Sequence, residues 1–209
     1  TTGNPEVASL WARNAERLLT WREEMERVAE QMRPRFEAVG LAFTPEILLS
    51  TALQESSDRD PLNTISFDGG LGMMQITPYN GRLDDTVANA LDWDNNRSVA
   101  HNRRHSRWRD AYANLLAGAE TMLVKAHAIA DAVPEVWATM DEDQRWRAVL
   151  YAYNAGQGAA IRALAREGAD ARMISSYRYN GRTVRHDYTE EIDEKIVYVD
   201  QLDAFDVNA

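Results

Sequence analysis

Thr44-Pro45-Glu46-Ile47-Leu48-Leu49-Ser50-Thr51-Ala52-Leu53-Gln54-Glu55 reads as a helix that ends on a carboxylate. Thr44 suits the N-cap, and Pro45 suits the first helical position, where its missing N–H costs nothing. Glu55 stands at i+4 from Thr51 and i+7 from Leu48, so it shares a face with apolar Leu48 and Ala52. A carboxylate on that face points at a core or a cleft rather than at bulk water. Burial disfavours its charged form and raises its pKa toward the value a general acid needs.

Two further stretches follow in order. One is rich in Gly and Met, Asp68-Gly69-Gly70-Leu71-Gly72-Met73-Met74-Gln75-Ile76-Thr77-Pro78, and the other is Ala152-Tyr153-Asn154-Ala155-Gly156. In this order the three segments resemble the catalytic domain of lytic transglycosylases and goose-type lysozymes, enzymes that cut the glycan strands of peptidoglycan. The resemblance spans about residues 44–203 and implies a mainly α, α+β lysozyme-like fold. Gln54-Glu55-Ser56 looks like the family's Glu-Ser pair, which makes Glu55 the acid/base and Ser56 its neighbour in the site. Gly72-Met73-Met74-Gln75-Ile76 resembles its Gly-Leu-Met-Gln-Ile motif, with Met74 near the acid and Gln75 lining the cleft. Asn114-Leu115-Leu116-Ala117-Gly118-Ala119 is similar to a core-supporting segment. Ala152-Tyr153-Asn154-Ala155-Gly156 matches Ala-Tyr-Asn-Ala-Gly intact, which implies a Tyr153 hydroxyl within reach of Glu55 and Asn154 in the cleft. Glu194-Lys195-Ile196-Val197-Tyr198-Val199 departs from Glu-Thr-Arg-x-Tyr-Val at Lys195 and Ile196.

Composition bounds the rest. The 209 residues, 44% hydrophobic, suffice for one good-sized domain with a core, and no stretch approaches a membrane span. With no cysteine there is no disulfide or thiol chemistry. A net charge of −10 is a poor match for a nucleic-acid binder. The chain begins at Thr1 rather than Met, so a processed or trimmed start is expected, with which a removed signal peptide is compatible.

Residues 1–40 are expected to form a helical segment packed on a catalytic domain of residues 41–209. Pro5 to Met32 reads as one helix whose Trp11, Leu18, Met25 and Met32 recur every seven residues. Two tryptophans and few heptads favour docking on the domain over a coiled-coil seam. Pro34 and Gly40 should end it. Residues 56–84 read as loop and short strands, and residues 92–108 as a polar surface excursion. Helices are expected near 110–130, 141–153, 158–167 and 188–202, the second opened by an Asp141/Gln144 capping box. Between them Asn180-Gly181 predicts a hairpin over 177–184, with Tyr177 and Tyr179 on one face.

Each site residue also has a plainer role. Met73 and Met74 could be core filler, and Tyr153 could bury its ring on a core-facing stripe. Asp68 is the candidate second carboxylate, although a turn role is the simpler reading of it. Tyr179 is expected to form a lip of a glycan groove. His101 and His105 have metal-pair spacing, but Arg103, Arg104 and Arg107 around them would repel a cation, so no metal is expected. Nor is a cofactor expected. The reading is a monomeric peptidoglycan-cleaving enzyme of the cell envelope or extracellular space. A hydrolytic lysozyme or chitinase-type enzyme and a non-catalytic wall-binding module are the rivals.

Overall fold

The computed structural model describes residues 5–56 and 60–205. Residues 1–4, Thr1 among them, residues 57–59 and residues 206–209 lie outside the described residues.

The expected N-terminal helix is two helices, α1 (Pro5–Leu18) and α2 (Arg22–Glu37), joined by a single 3-10 turn at Leu19–Trp21. Trp21 leaves helical geometry at φ −107°, ψ 30°. The break lets α1 pack on α3 (Pro45–Glu55) while α2 packs on both α3 and a later central helix. Pro34 does not end α2, which runs on to Glu37. The next turn carries Phe36, fully buried and stacked on Phe43 with ring centroids 4.2 Å apart. Burying such a ring is worth about 2–3 kcal/mol, comparable to the ~3 kcal/mol that an interior proline costs a helix.

α3 spans the expected residues with Pro45 in its first turn, but the Thr44 side chain makes no capping hydrogen bond. No strand forms among the described residues of 56–84. Isolated bridges Ile65↔Leu71, Leu71↔Ile76 and Tyr79↔Arg82 stand there instead. Gly69, Gly72 and Gln75 all have positive φ and turn the chain back before extended pairing can propagate.

The expected surface excursion is likewise anchored. α4 (Asp85–Leu91) leads into it and α5 (Val99–His105) lies within it, and Trp93 between them and Trp108 after α5 are buried. The Asn102 side chain accepts from the Asp94 N–H and donates back to its carbonyl. Abundant surface charge masked these two aromatic anchors in the sequence.

α6 (Ala111–Ala132) is the central helix, opened by Asp110, whose carboxylate accepts from the Ala113 N–H. Its Leu115, Ala119, Met122, Ala126 and Ile129 stripe is wholly buried. After the short α7 (Pro134–Thr139), α8 (Glu142–Ala155) begins with the expected reciprocal Asp141/Gln144 capping box. α9 (Gln157–Glu167) leads into the hairpin of β1 (Ile174–Tyr179) and β2 (Arg182–Asp187). Asn180 and Gly181 turn it with φ of 48° and 77°, the two positive values that a tight two-residue hairpin turn requires. α10 (Tyr188–Leu202) then packs on α3 and α8. The fold is mainly α with one small antiparallel sheet, as expected.

Candidate active site

Leu48 and Ala52 are fully buried, so the face they share with Glu55 at the end of α3 is turned inward. Helical geometry ends at Ser56, whose N–H still bonds the Ala52 carbonyl at 2.8 Å. Glu55 Oε1 is shielded from solvent and has no hydrogen-bond partner. Burial therefore raises the Glu55 pKa from 4.5 to about 7; the charges of Asp68 and Glu191 push it the same way, and Lys195 opposes them. Ser56 is buried too, and its hydroxyl has no partner.

The Gly-Met-Met-Gln turn is fastened to α6 from below. Asn114, fully buried, accepts from the Met74 N–H at 2.9 Å and donates to the Leu71 and Trp108 carbonyls, both at 3.0 Å. Gly72 has φ +71°, and a Cβ there would stand 2.4 Å from Asn114 Nδ2. A Cβ on Gly118 would stand 2.5 Å from Met74 Cε, so the two glycines let the turn and the helix close on each other. Gln75 takes the left-handed conformation at φ 50°, and its side-chain amide donates to the Gly72 carbonyl at 2.8 Å. A non-glycine residue held there costs about 1–2 kcal/mol. Met73 and Met74 are wholly buried, and only Gln75 of the three is partly open.

Tyr153, on α8, takes a different partner from the one expected. Its hydroxyl donates to the Met74 carbonyl, so it reaches Glu55 only through space. Burial raises the Tyr153 pKa well above its ordinary value, and the Glu55 charge adds to that. Asn154 is exposed, its amide turned back to the Leu150 carbonyl at 3.4 Å.

Asp68 is exposed and accepts from the Ser66 hydroxyl, while Ser66 Oγ also accepts from the Gly70 N–H at 2.9 Å. It therefore orders a turn, and its charge still acts on Glu55. Phe67 beside it is fully exposed. Tyr177 and Tyr179 alternate on one face of β1 and are 51% and 65% exposed, so neither ring packs into the core. The rings of His101 and His105 lie against each other, tilted by 38°, with centroids 4.5 Å apart. Among the described residues no three ligating side chains form a metal cluster.

Sequence reasoning missed a polar network beside the acid. Gln54 Nε2 donates to Glu191 Oε1 at 2.9 Å, and Gln54 Oε1 accepts from Lys195 Nζ. Lys195, itself buried, also bonds Glu191 at 2.7 Å, and His186 Nε2 bonds the second Glu191 oxygen. Burial alone would raise the Glu191 pKa, but the hydrogen bonds from Lys195, Gln54 and His186 outweigh it and hold the carboxyl at about 2. Glu55 Oε1 has no partner among the described residues while both Glu191 oxygens are bonded, which separates their roles: Glu55 can carry a proton at neutral pH, and Glu191 stays an anion. The signal lay in the i, i+4 spacing of Glu191 and Lys195 on α10.

A family model described as the transglycosylase SLT domain matches residues 36–175. The chain belongs to that family. The match contains α3 with Glu55 at its end, the Met74 turn and Tyr153. It leaves out α1 and α10, so Lys195 and Glu191 reach the SLT site from outside the matched region. A search of curated proteins finds no match. No helix among the described residues is long and apolar enough to cross a membrane.

Proposed function

We propose that this SLT domain cleaves the MurNAc–GlcNAc β-1,4 bond of peptidoglycan as a lytic transglycosylase, with Glu55 as sole acid and base. The observation that carries the reading is the buried Glu55, whose Oε1 has no partner among the described residues and whose pKa is raised to about 7. Protonated Glu55 gives its proton to the O4 leaving oxygen as the C1–O4 bond breaks and an oxocarbenium-like centre forms. The Glu55 carboxylate then takes the proton of the same sugar's 6-hydroxyl as O6 bonds to C1. The proton is returned, no water is consumed, and the new end is a 1,6-anhydro sugar. One group can serve both steps because a pKa near 7 keeps both protonation states within easy reach.

In this reading the partly open Gln75 and the exposed Asn154 meet the glycan, Asn154 after its amide turns out from the Leu150 carbonyl, with buried Ser56 next to the acid and buried Met74 behind Gln75. The exposed rings of Phe67 and Tyr179 offer flat apolar faces on which sugar rings stack. Peptidoglycan as substrate places the enzyme's work in the cell envelope or outside the cell. A hydrolytic reading rests on Asp68, the strongest charge acting on Glu55. In that reading Asp68 orients a water that replaces the 6-hydroxyl.

Mass spectrometry of digested sacculi separates the two. Products lighter by one water than the hydrolytic fragments support the transglycosylase. Ordinary reducing ends from the first turnovers overturn it, and no released fragments at all would leave only the wall-binding module.

A further inference from the structure

We propose that an arginine-lined groove on the far side of the hairpin binds the carboxylates of peptide stems carried by the glycan strand. The proposal rests on peptidoglycan being the substrate.

The groove has a volume of about 460 Å³ and lies between α9 and the base of the hairpin, with Tyr151 of α8 in its floor. Arg162, Arg166, Arg172 and Arg185 line it, and Glu167 is its single acidic residue. The chain around it carries a net charge of −10, so this concentration of cations runs against the whole molecule. Arg166 pairs with Glu167, and Arg172 with Asp187. Arg162 and Arg185 have no acidic partner among the described residues. With two of the four guanidinium groups already paired, Arg162 and Arg185 leave an excess of positive charge that an entering anion relieves, and their planar forks match carboxylate oxygens two by two.

Position favours a ligand tethered to the glycan. The hairpin register puts Ile174, Ser176, Arg185 and Asp187 on one face and Tyr177, Tyr179 and His186 on the other. The first face borders the arginine groove. The second carries His186 to Glu191, in the network beside Glu55. The Tyr151 hydroxyl bonds the Ile174 carbonyl at 3.1 Å. Its ring lies 5.4 Å from that of Tyr188, which lies 4.0 Å from the ring of His186. The two-stranded hairpin, a single layer, therefore stands between the groove and the network beside Glu55. Its two strands lie only about 4.8 Å apart, and an extended stem of four residues, about 14 Å long, can pass round its edge. Tethering raises the local concentration of such a carboxylate, so weak, exposed arginines suffice. A long free polyanion lacks that advantage and meets the net negative charge of the rest of the protein.

The test uses the full chain with Arg162→Ala/Arg185→Ala, both exposed positions outside the catalytic machinery. On glycan strands that keep their stems, the double variant should raise KM roughly three- to tenfold with kcat unchanged. On the same strands stripped of peptide by an amidase, KM should stay at the wild-type value. NMR titration of the Glu55→Gln protein with free stem tetrapeptide should shift amides around Arg162 and Arg185. That shift should vanish in the triple variant and weaken in about 0.5 M salt. Equal KM changes on both substrates, no KM change, or shifts caused by a glycerol-phosphate oligomer and not by the tetrapeptide would overturn the proposal. If wild-type protein cuts neither strand, the enzymatic reading fails, and the titration alone still decides the groove.

Discussion

The Tyr153 hydroxyl donates to the Met74 carbonyl and so ties α8 to the Gly-Met-Met-Gln turn. The Ala-Tyr-Asn-Ala-Gly segment thus holds the shape of the site through another segment's backbone. Tyr153→Phe leaves a buried carbonyl with its partner gone, which costs about 1–3 kcal/mol. The variant should melt at lower temperature and lose activity together with the Met74–Gln75 turn. Unchanged stability in a urea titration would sever this link.

Glu55→Gln should lose cleavage by roughly 10²–10⁴-fold or more, because the amide has no proton to deliver. It should also be more stable than wild type at pH 8. Between pH 4.5 and 7 the folded protein holds the Glu55 proton more tightly than the unfolded chain does, so wild-type stability falls as pH rises through that window and is level above it. The amide escapes this loss, a gain of roughly 2–3 kcal/mol at pH 8 that shrinks toward zero near pH 4. Thermal melts at the two pH values check the sign. A variant no more stable at pH 8 than at pH 4, relative to wild type, would contradict the buried acid.

Lys195→Met and Glu191→Gln should move the alkaline limb of kcat/KM in opposite directions. Lys195 lowers the Glu55 pKa and Glu191 raises it. Losing the lysine therefore carries the limb, expected near pH 7, to higher pH, and losing the glutamate carries it to lower pH. A pH–rate profile in which both variants shift the same way would disconnect the network from the acid.

Tyr179→Ala should weaken binding of chitin oligomers without lowering Tm, since the ring is 65% exposed. A lower Tm with unchanged affinity would make the hairpin structural instead of a lip of the groove.

Helix ends and periodic stripes were legible in the sequence because local chemistry sets them: Pro45 at a helix start, the Asp141/Gln144 box, Asn180-Gly181 at a turn. The break at Leu19–Trp21 and the passage of α2 through Pro34 were not, because burial of Leu18 and Phe36 against distant elements decides them. The same divide runs through the site. Glu55 announces itself by its apolar neighbours on one helix. The partner of Tyr153 and the Gln54–Glu191–Lys195 network depend on segments 79 and 137–141 residues apart in the chain, and no local pattern encodes them.

Trp11 gives the first helix a reach that its distance from Glu55 in the chain conceals. Its ring meets Tyr198 edge-on at 5.2 Å, with the Lys195 ammonium 5.5 Å away. An indole in that place displaces water and keeps the surroundings of Lys195 a poor screening medium, so the lysine's charge is felt farther through the protein. The first helix therefore works as insulation around the wiring of the acid. A fragment cut back to the matched residues 36–175 would retain the three motifs while losing both the insulated cation and its insulator.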